Sequence, residues 1–276
     1  MTLTLTPIAG LPLIQPGDDL ASVIQTALHR SDINLVDGDI LVLTQKIVSK
    51  ADGRHKNLAQ VTPSAEAIEL AGRTEKDPRL VELILQESRS VLRTRPGTII
   101  VEHRLGFVCA SAGIDHSNVQ PEGANGEGCA EGEGGAGGEG GAEGEDGDEW
   151  VLLLPENPDA SASTLKSSLE AASGVKLGVL IIDSHGRAWR MGTVGMTIGL
   201  AGLPGLVDLR GQPDLFDFRL QISEVAAADE LAAAASLVMG QAAEGTPVVH
   251  VRGFPYPLRD SSLGELLRPK EQDLFR

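Results

Sequence analysis

The sequence predicts a mixed α/β fold of the α+β kind, in a single domain over residues 1–276. Three observations predict it. Short apolar runs bounded by turn residues recur at 39–44, 98–103, 176–182 and 247–252, and read as buried strands. Between them, 18–30, 158–173 and 225–239 read as helices. The two kinds alternate irregularly, which favours α/β or α+β packing over a regular βαβ array.

Residues 18–30 (DDLASVIQTALHR) space Leu20, Ile24 and Leu28 helically, behind two aspartates suited to a helix N-terminus. DILVLT at 39–44 is a buried strand, and QKIVSKADGR continues strand-like until Asp52-Gly53 marks a turn. Residues 63–74 and 79–92 read as two helices, and 98–103 and 107–112 as paired strands around Gly106. VLLLP brings a strand at 151–154, followed by the helix at 158–173. KLGVLII at 176–182 is a central strand ending in Asp183-Ser184-His185-Gly186-Arg187, with a return strand at 188–190. Residues 192–205, apolar and Gly-rich, read as packed loop; 225–239 is a long Ala-rich helix and 247–252 the last buried strand.

Residues 122–149 are almost wholly Gly, Glu, Ala and Asp. Such a segment cannot bury enough apolar area to offset its ordering entropy, so a disordered insertion at an exposed loop tip is expected. An acidic tail for a metal or a partner is the less favoured alternative. The segment holds ten of the 39 acidic residues, leaving about −6 of the net charge of −16 on the rest. A mildly acidic fold argues against binding nucleic acid or an anionic membrane. Cys109 and Cys129 have no CxxC or Cys/His neighbour, so neither zinc nor a disulfide is expected and a reducing cytoplasm is the default. The N-terminus lacks the basic residues of a signal peptide, and no run of about eighteen apolar residues occurs.

Polar residues stand at the ends of the apolar runs. Asp115 in SAGIDHSNV is followed by Ser117 and Asn118, Asp183-Ser184 follows LGVLII, and Gln241 follows the Ala-rich helix. Carboxylate, hydroxyl and amide oxygens at the mouth of a sheet suit a hard cation such as Mg2+ or Mn2+. Taken singly, an Asp at a strand end is more often a turn former. Lys46 and Lys50 flank IVS and, in an extended segment, share a face that could meet a triphosphate; the plainer alternative is an exposed strand face. No GxxxxGK[ST] or helix-opening GxGxxG is present. His116, His185 and His250 lack ligand spacing, and Ser117 and Ser184 lack a nucleophile-elbow context.

In order along the chain, GLPLI, LVLTQKIVSKADGR, SAGIDHSNV, LLLPENPDASA, IIDSHGRAWR, MTIGLAG, LVMGQ and VVHVRG together resemble the coenzyme F420-0:L-glutamate ligase, or coenzyme F420:γ-glutamyl ligase, family. The resemblance spans the chain outside the Gly/Glu segment. It implies a ligase-type domain with a mixed sheet and a cytoplasmic homodimer. GTP and a divalent cation, Mg2+ or Mn2+, are implied, with K+ as an additional candidate; the substrates would be coenzyme F420-0 and L-glutamate. By motif, the metal ligands would be Asp115, Asp183, Ser184 and Gln241. Nucleotide contacts would come from Leu11, Pro12, Leu13, Ile14, Gln45, Lys46, Lys50 and Asn118. Met239, Gly240, Gln241, Ala242, Ala243, Glu244, Gly245 and Thr246 would close over the nucleotide. Ser184 stands where the family has Thr, keeping the hydroxyl, and Asp217 where Gly is common. The chain ends at LFR, so the reductase-like domain fused to some relatives is not expected. No covalent nucleophile is required, because an acyl phosphate would activate the acceptor carboxylate. Two rival functions are a metal-dependent phosphohydrolase and a non-enzymatic acidic binding module.

Overall fold

The computed structural model describes residues 2–119 and 149–274, so the expectation of a disordered insertion falls outside the described residues except at Glu149. In chain order the elements are β1 (Thr4–Ile8), α1 (Leu20–Arg30), β2 (Ile40–Thr44), α2 (Gln45–Ala51), β3 (His55–Asn57), α3 (Ala65–Thr74), α4 (Pro78–Gln86), β4 (Ser88–Arg95), β5 (Thr98–His103) and β6 (Val108–Ala110). They continue with β7 (Trp150–Leu152), α5 (Pro158–Ser173), β8 (Gly178–Arg187), β9 (Arg190–Ala201), β10 (Val207–Asp208), β11 (Glu224–Val225), α6 (Ala227–Met239) and β12 (Val248–Arg252). The mixed α/β class follows. The chain forms two compact units: Met1–Ile14, Asp18–Val48 and Pro155–Arg276 in the first, Gln15–Gly17 and Ser49–Leu154 in the second.

The first unit is built on a five-stranded mixed sheet in the order β1-β12-β2-β8-β9. Only β2 and β8 run parallel; the other pairs are antiparallel. Ile40, Leu41, Val42 and Leu43 of β2 are completely buried, as are Val179 and Leu180 of β8. A strand covered on both faces has no polar alternation, which is why these runs are apolar throughout. Helix α5 starts with Asn157 accepting from Ala160 N–H and Pro158 at its first position, and stops at Gly174 with φ 75°. Those three residues are the signals that made its limits legible.

Residues 190–201 are strand, not packed loop. Their glycines serve close approach. A Cβ on Gly195 would lie 2.5 Å from Ala232 O in α6, and one on Gly199 would lie 2.5 Å from the Pro158 carbonyl carbon in α5. Register shifts by one residue between Ile181 and Ile182, so the two glycines, four apart, turn to opposite faces. Glycine here marks helix packing on a strand rather than a loop. Segment 45–51 is likewise a helix, α2, not a continuing strand. Its β-branched Ile47-Val48 suggested extension, but Ile47, Val48 and Ala51 also fit helical spacing, and Ile47 and Val48 are buried in that form.

The second unit pairs β3 with β7 and folds β4-β5-β6 as an antiparallel meander. Leu58, Leu70, Val81, Ile84, Ile99, Val101 and Val151 form its core. Strands 98–103 and 108–110 pair as expected. The helix expected over 79–92 ends at Gln86, because Ser88–Arg95 pairs with Thr98–His103 instead. Glu87 marks that change of direction. Arg54 Nη2 donates to its Oε1 at 3.0 Å and Arg104 Nε to its Oε2 at 2.7 Å. Leu105 N–H donates to His103 Nδ1, so a neutral His103 carries its proton on Nε2, 3.7 Å from Glu87. Burial acts to raise the Glu87 pKa, but His103, Arg104 and Arg54 outweigh it and hold the carboxyl at about 2, against an ordinary 4.5.

A carboxyl lowered by folding contributes stability above its unfolded pKa and loses it as pH falls toward the folded value. Unfolding in urea is therefore expected to ease between pH 4.5 and about 2. Glu87→Gln should cost about 3 kcal/mol at pH 7, by stranding the arginines, and should flatten this acid limb. An unaltered acid limb in the variant would show that Glu87 does not carry it.

Candidate active site

In the first unit the polar cluster lies where β8 leaves the core. Residues Gly178 to Ile182 are buried, Asp183 is half-buried and Ser184 exposed. Neighbours on a strand face opposite sides, and these two find different partners. Asp183 Oδ2 lies 3.0 Å from Nε2 of buried His185, two residues along on the same face. Ser184 Oγ donates to Gln241 Oε1 at 2.7 Å, and Gln241 Nε2 donates to Ser236 Oγ at 2.9 Å. Gln241 reaches that position because α6 ends at Met239 and Gly240 turns the chain with φ 77°. The residues expected to share one ion are therefore grouped as Ser184 with Gln241 and Asp183 with His185.

The segment after α6 is folded on itself. Glu244 Oε2 accepts the Ala242 N–H at 2.8 Å, which holds its carboxyl below the usual range, and Thr246 Oγ1 donates to Met239 O at 2.8 Å. Gly240 has no space for a Cβ because the Glu244 side chain occupies it. Ala243 and Gly245 are exposed between these contacts. Of the N-terminal loop in this unit, Ile14 is buried, Leu13 is 73% exposed, and Leu11 and Pro12 lie between and at the surface. Gln45 is buried and Lys46 half-buried at the start of α2.

In the second unit Asp115 is held by its backbone, with N–H and C=O bonded to Leu152 at 3.0 and 2.9 Å. The approach to it is strained: Ser111, Ala112 and Gly113 have φ of 48°, 53° and 67°, and Asn118 of 59°. Left-handed backbone at successive non-glycine residues is unfavourable and persists where the surroundings enforce it. Gly113 also lies against Leu154, whose Cδ1 would be 2.7 Å from a Cβ there. Lys50 is half-buried. Burial, and after it the Lys50 charge, holds the His55 pKa below its usual value, so His55 is neutral near pH 7.

Carboxylate, hydroxyl and amide oxygens are donor types that a hard divalent cation takes, but here Asp183 meets His185 while Ser184 and Gln241 bond each other. Among the described residues no three His, Cys, Asp or Glu side chains converge. Sequence reasoning missed two partners. His185 was set aside for lack of ligand spacing, although its position two residues from Asp183 put both on one strand face. Ser236 is the one polar residue among the buried positions of α6, and only that contrast signalled it.

The geometry around Asp115 yields a prediction. Gly113→Ala must place a side chain at φ 67° and against Leu154. It should lower stability by about 1–3 kcal/mol. Urea midpoints of the two proteins measure this, and an unchanged midpoint would contradict the strain.

Comparison with known proteins bears on this arrangement. Residues 10–127 and 129–253 match the family described as F420-0:Gamma-glutamyl ligase. The chain is 44% identical over 278 residues to the Coenzyme F420:L-glutamate ligase of Methanothermobacter thermautotrophicus, covering 100% of both. It is 40% identical to the protein of that name from Methanopyrus kandleri, covering 100% of this chain and 98% of the other. A third, from Methanocaldococcus jannaschii, is 40% identical over 87% of this chain and 85% of its own length. With near-complete coverage at this identity, the chain belongs to the F420-0:Gamma-glutamyl ligase family.

Proposed function

We propose that the chain joins L-glutamate to coenzyme F420-0 through an amide bond, consuming GTP by way of an acyl phosphate. The observation that carries this reading is the family match, which runs through the segments holding Asp115, Asp183, Ser184 and Gln241. Further γ-linked additions belong to the same reaction class. A homodimer, an additional K+ and a cytoplasmic setting are part of the proposal.

The chemistry follows from the carboxylate. It does not condense with an amine at neutral pH, because oxide is a poor leaving group. Attack of the acceptor carboxylate oxygen on the γ-phosphorus of GTP breaks the β–γ bridge and releases GDP. The glutamate amine then attacks the acyl carbon, orthophosphate departs, and the amine proton is lost to solvent. By motif, Asp115, Asp183, Ser184 and Gln241 would be the ligands of a Mg2+ or Mn2+ ion, for which the Ser184–Gln241 hydrogen bond would have to open. Such an ion supplies neutralisation of phosphoryl charge. By motif, Lys46 and Lys50 would meet phosphate, and residues 11–14, Gln45, Asn118 and 239–246 would contact the nucleotide. Water excluded by the closing segment 239–246 protects the acyl phosphate from hydrolysis.

Incubation with GTP, Mn2+, glutamate and coenzyme F420-0, followed by mass spectrometry, tests the reading. A product heavier by one glutamyl unit, with GDP and phosphate, is expected. Phosphate release with no amide product would instead indicate a phosphohydrolase. Asp183→Asn and Asp115→Asn should each abolish turnover while the thermal midpoint stays within a few degrees. Near-normal turnover at limiting Mn2+ would remove that carboxylate from the metal set. Lys50→Ala should raise the apparent KM for GTP about ten-fold, the scale of a charge-assisted phosphate contact; an unchanged GTP dependence would deny Lys50 that role.

A further inference from the structure

We propose that the tip of the β8–β9 hairpin is the docking platform for the acceptor substrate, with Trp189 stacked on its flat aromatic ring and Arg187 and Arg190 meeting its anionic tail. The ligand is that of the proposed reaction, coenzyme F420-0, whose deazaflavin ring is flat and whose reacting end is a carboxylate, so the inference rests on that reading.

Neither turn chemistry nor packing accounts for Trp189. Arg187 pairs with Arg190 across the tip, which leaves Ala188 and Trp189 as the turn. Trp189 takes φ 63°, a left-handed conformation that hairpin turns give to Gly, Asn or Asp and that is an outlier for a bulky side chain. Burial does not offset that strain, because Trp189 is 89% exposed. Met191, two residues on, is 97% exposed. Regular pairing resumes with Gly186 opposite Thr193, so Met191 and Gly192 bulge out of the ladder. Bulges of this kind re-aim side chains beside functional sites. Arg187 Nη1 donates to Gly192 O at 3.4 Å across the bulge. A Cβ on Gly186 or Gly192 would meet nothing within 4 Å, so among the described residues nothing packs on the hairpin at those points. An aromatic ring kept in water at the expense of backbone strain is placed for a ligand that stacks on it.

The charge at the tip fits an anionic acceptor. The chain carries −16 overall, yet two arginines bracket Trp189, and among the described residues neither forms an ion pair with a carboxylate. Arg187 is half-buried and Arg190 exposed. Guanidinium groups present paired N–H donors matched to phosphate and carboxylate oxygens. The distance fits as well. From Asp183 to Arg187, β8 runs on the order of 13 Å at the rise of an extended strand. An acceptor with its ring at one end and its reacting carboxylate at the other can lie along that length, ring on Trp189 and carboxylate toward the polar residues where β8 leaves the core.

The test uses the full-length protein and coenzyme F420-0, with binding read by equilibrium dialysis and turnover in the complete reaction by mass spectrometry. Trp189→Gly should weaken binding, and raise the KM for coenzyme F420-0, about ten-fold, the scale of losing an aromatic stacking partner. The KM for GTP should not change. The thermal midpoint should not fall, because glycine accepts φ 63° without strain. Trp189→Phe, which keeps an aromatic face, should bind within about three-fold of the parent. Arg187→Gln combined with Arg190→Gln should also weaken binding about ten-fold and remove most of its salt dependence. Parent-like affinity and KM in Trp189→Gly, with the parent active, would overturn the platform and leave the proposed reaction standing. A fallen midpoint with unchanged affinity would make Trp189 structural instead. Loss of a dimer in sedimentation, again with unchanged affinity, would make the tip a contact between copies and overturn the platform too. If the parent neither binds coenzyme F420-0 nor adds glutamate to it, the proposed reaction fails and the platform loses its ligand.

Discussion

The parallel register between β2 and β8 is the constraint on which the first unit's site depends. Ile40 pairs with Gly178 and Thr44 with Ile182, so the chain emerges from the buried sheet at Asp183. In a strand buried on both faces the hydrophobic pattern cannot set the register, because every residue is apolar. Here the two ends set it. At the start, a Cβ on Gly178 would meet Ile40 Cγ1 at 3.2 Å and Leu203 Cβ at 3.3 Å, so the position suits glycine. At the finish, a one-residue slip would draw Asp183 into the apolar layer and turn Ser184 away from Gln241.

A buried carboxylate holds the end of the sheet where β2 and β8 begin. Asp39, 1% exposed, precedes β2 and accepts from Arg252 Nε at 2.9 Å and Nη2 at 2.7 Å, with His250 Nε2 at 2.8 Å. Burial favours its neutral form, but Arg252, His250 and the Val36 N–H outweigh burial and keep the carboxyl below its usual pKa. Its backbone carbonyl accepts from Gly178 N–H at 2.9 Å, which ties this cluster to the first residue of β8. Charge at one end of the sheet thus supports the register that places neutral and acidic oxygens at the other.

Much of this was legible in the sequence, for identifiable reasons. Helices α1 and α5 carry their caps in the chain, Asp19 for one and Asn157, Pro158 and Gly174 for the other. Central strands stood out as apolar runs ending in polar residues. What failed was context. Gln45–Ala51 has β-branched residues in a helix whose Ile47 and Val48 are buried, and Arg190–Ala201 has glycines in a strand because α5 and α6 pack against it and need small residues there. The Ser184–Gln241 hydrogen bond spans 57 residues, and no local pattern announces a contact of that range. Ordered motifs brought those residues together on paper; the fold brings them within hydrogen-bonding distance.

The proposed function needs the end of β8 and the residue after α6 to supply oxygen donors to a hard cation. Anomalous diffraction from crystals soaked in Mn2+ tests it most directly. The proposed function predicts a manganese peak at about 2 Å from Ser184 Oγ and Gln241 Oε1, with their mutual hydrogen bond broken. Manganese found only elsewhere, with the Ser184–Gln241 hydrogen bond intact and no peak beside it, would contradict it.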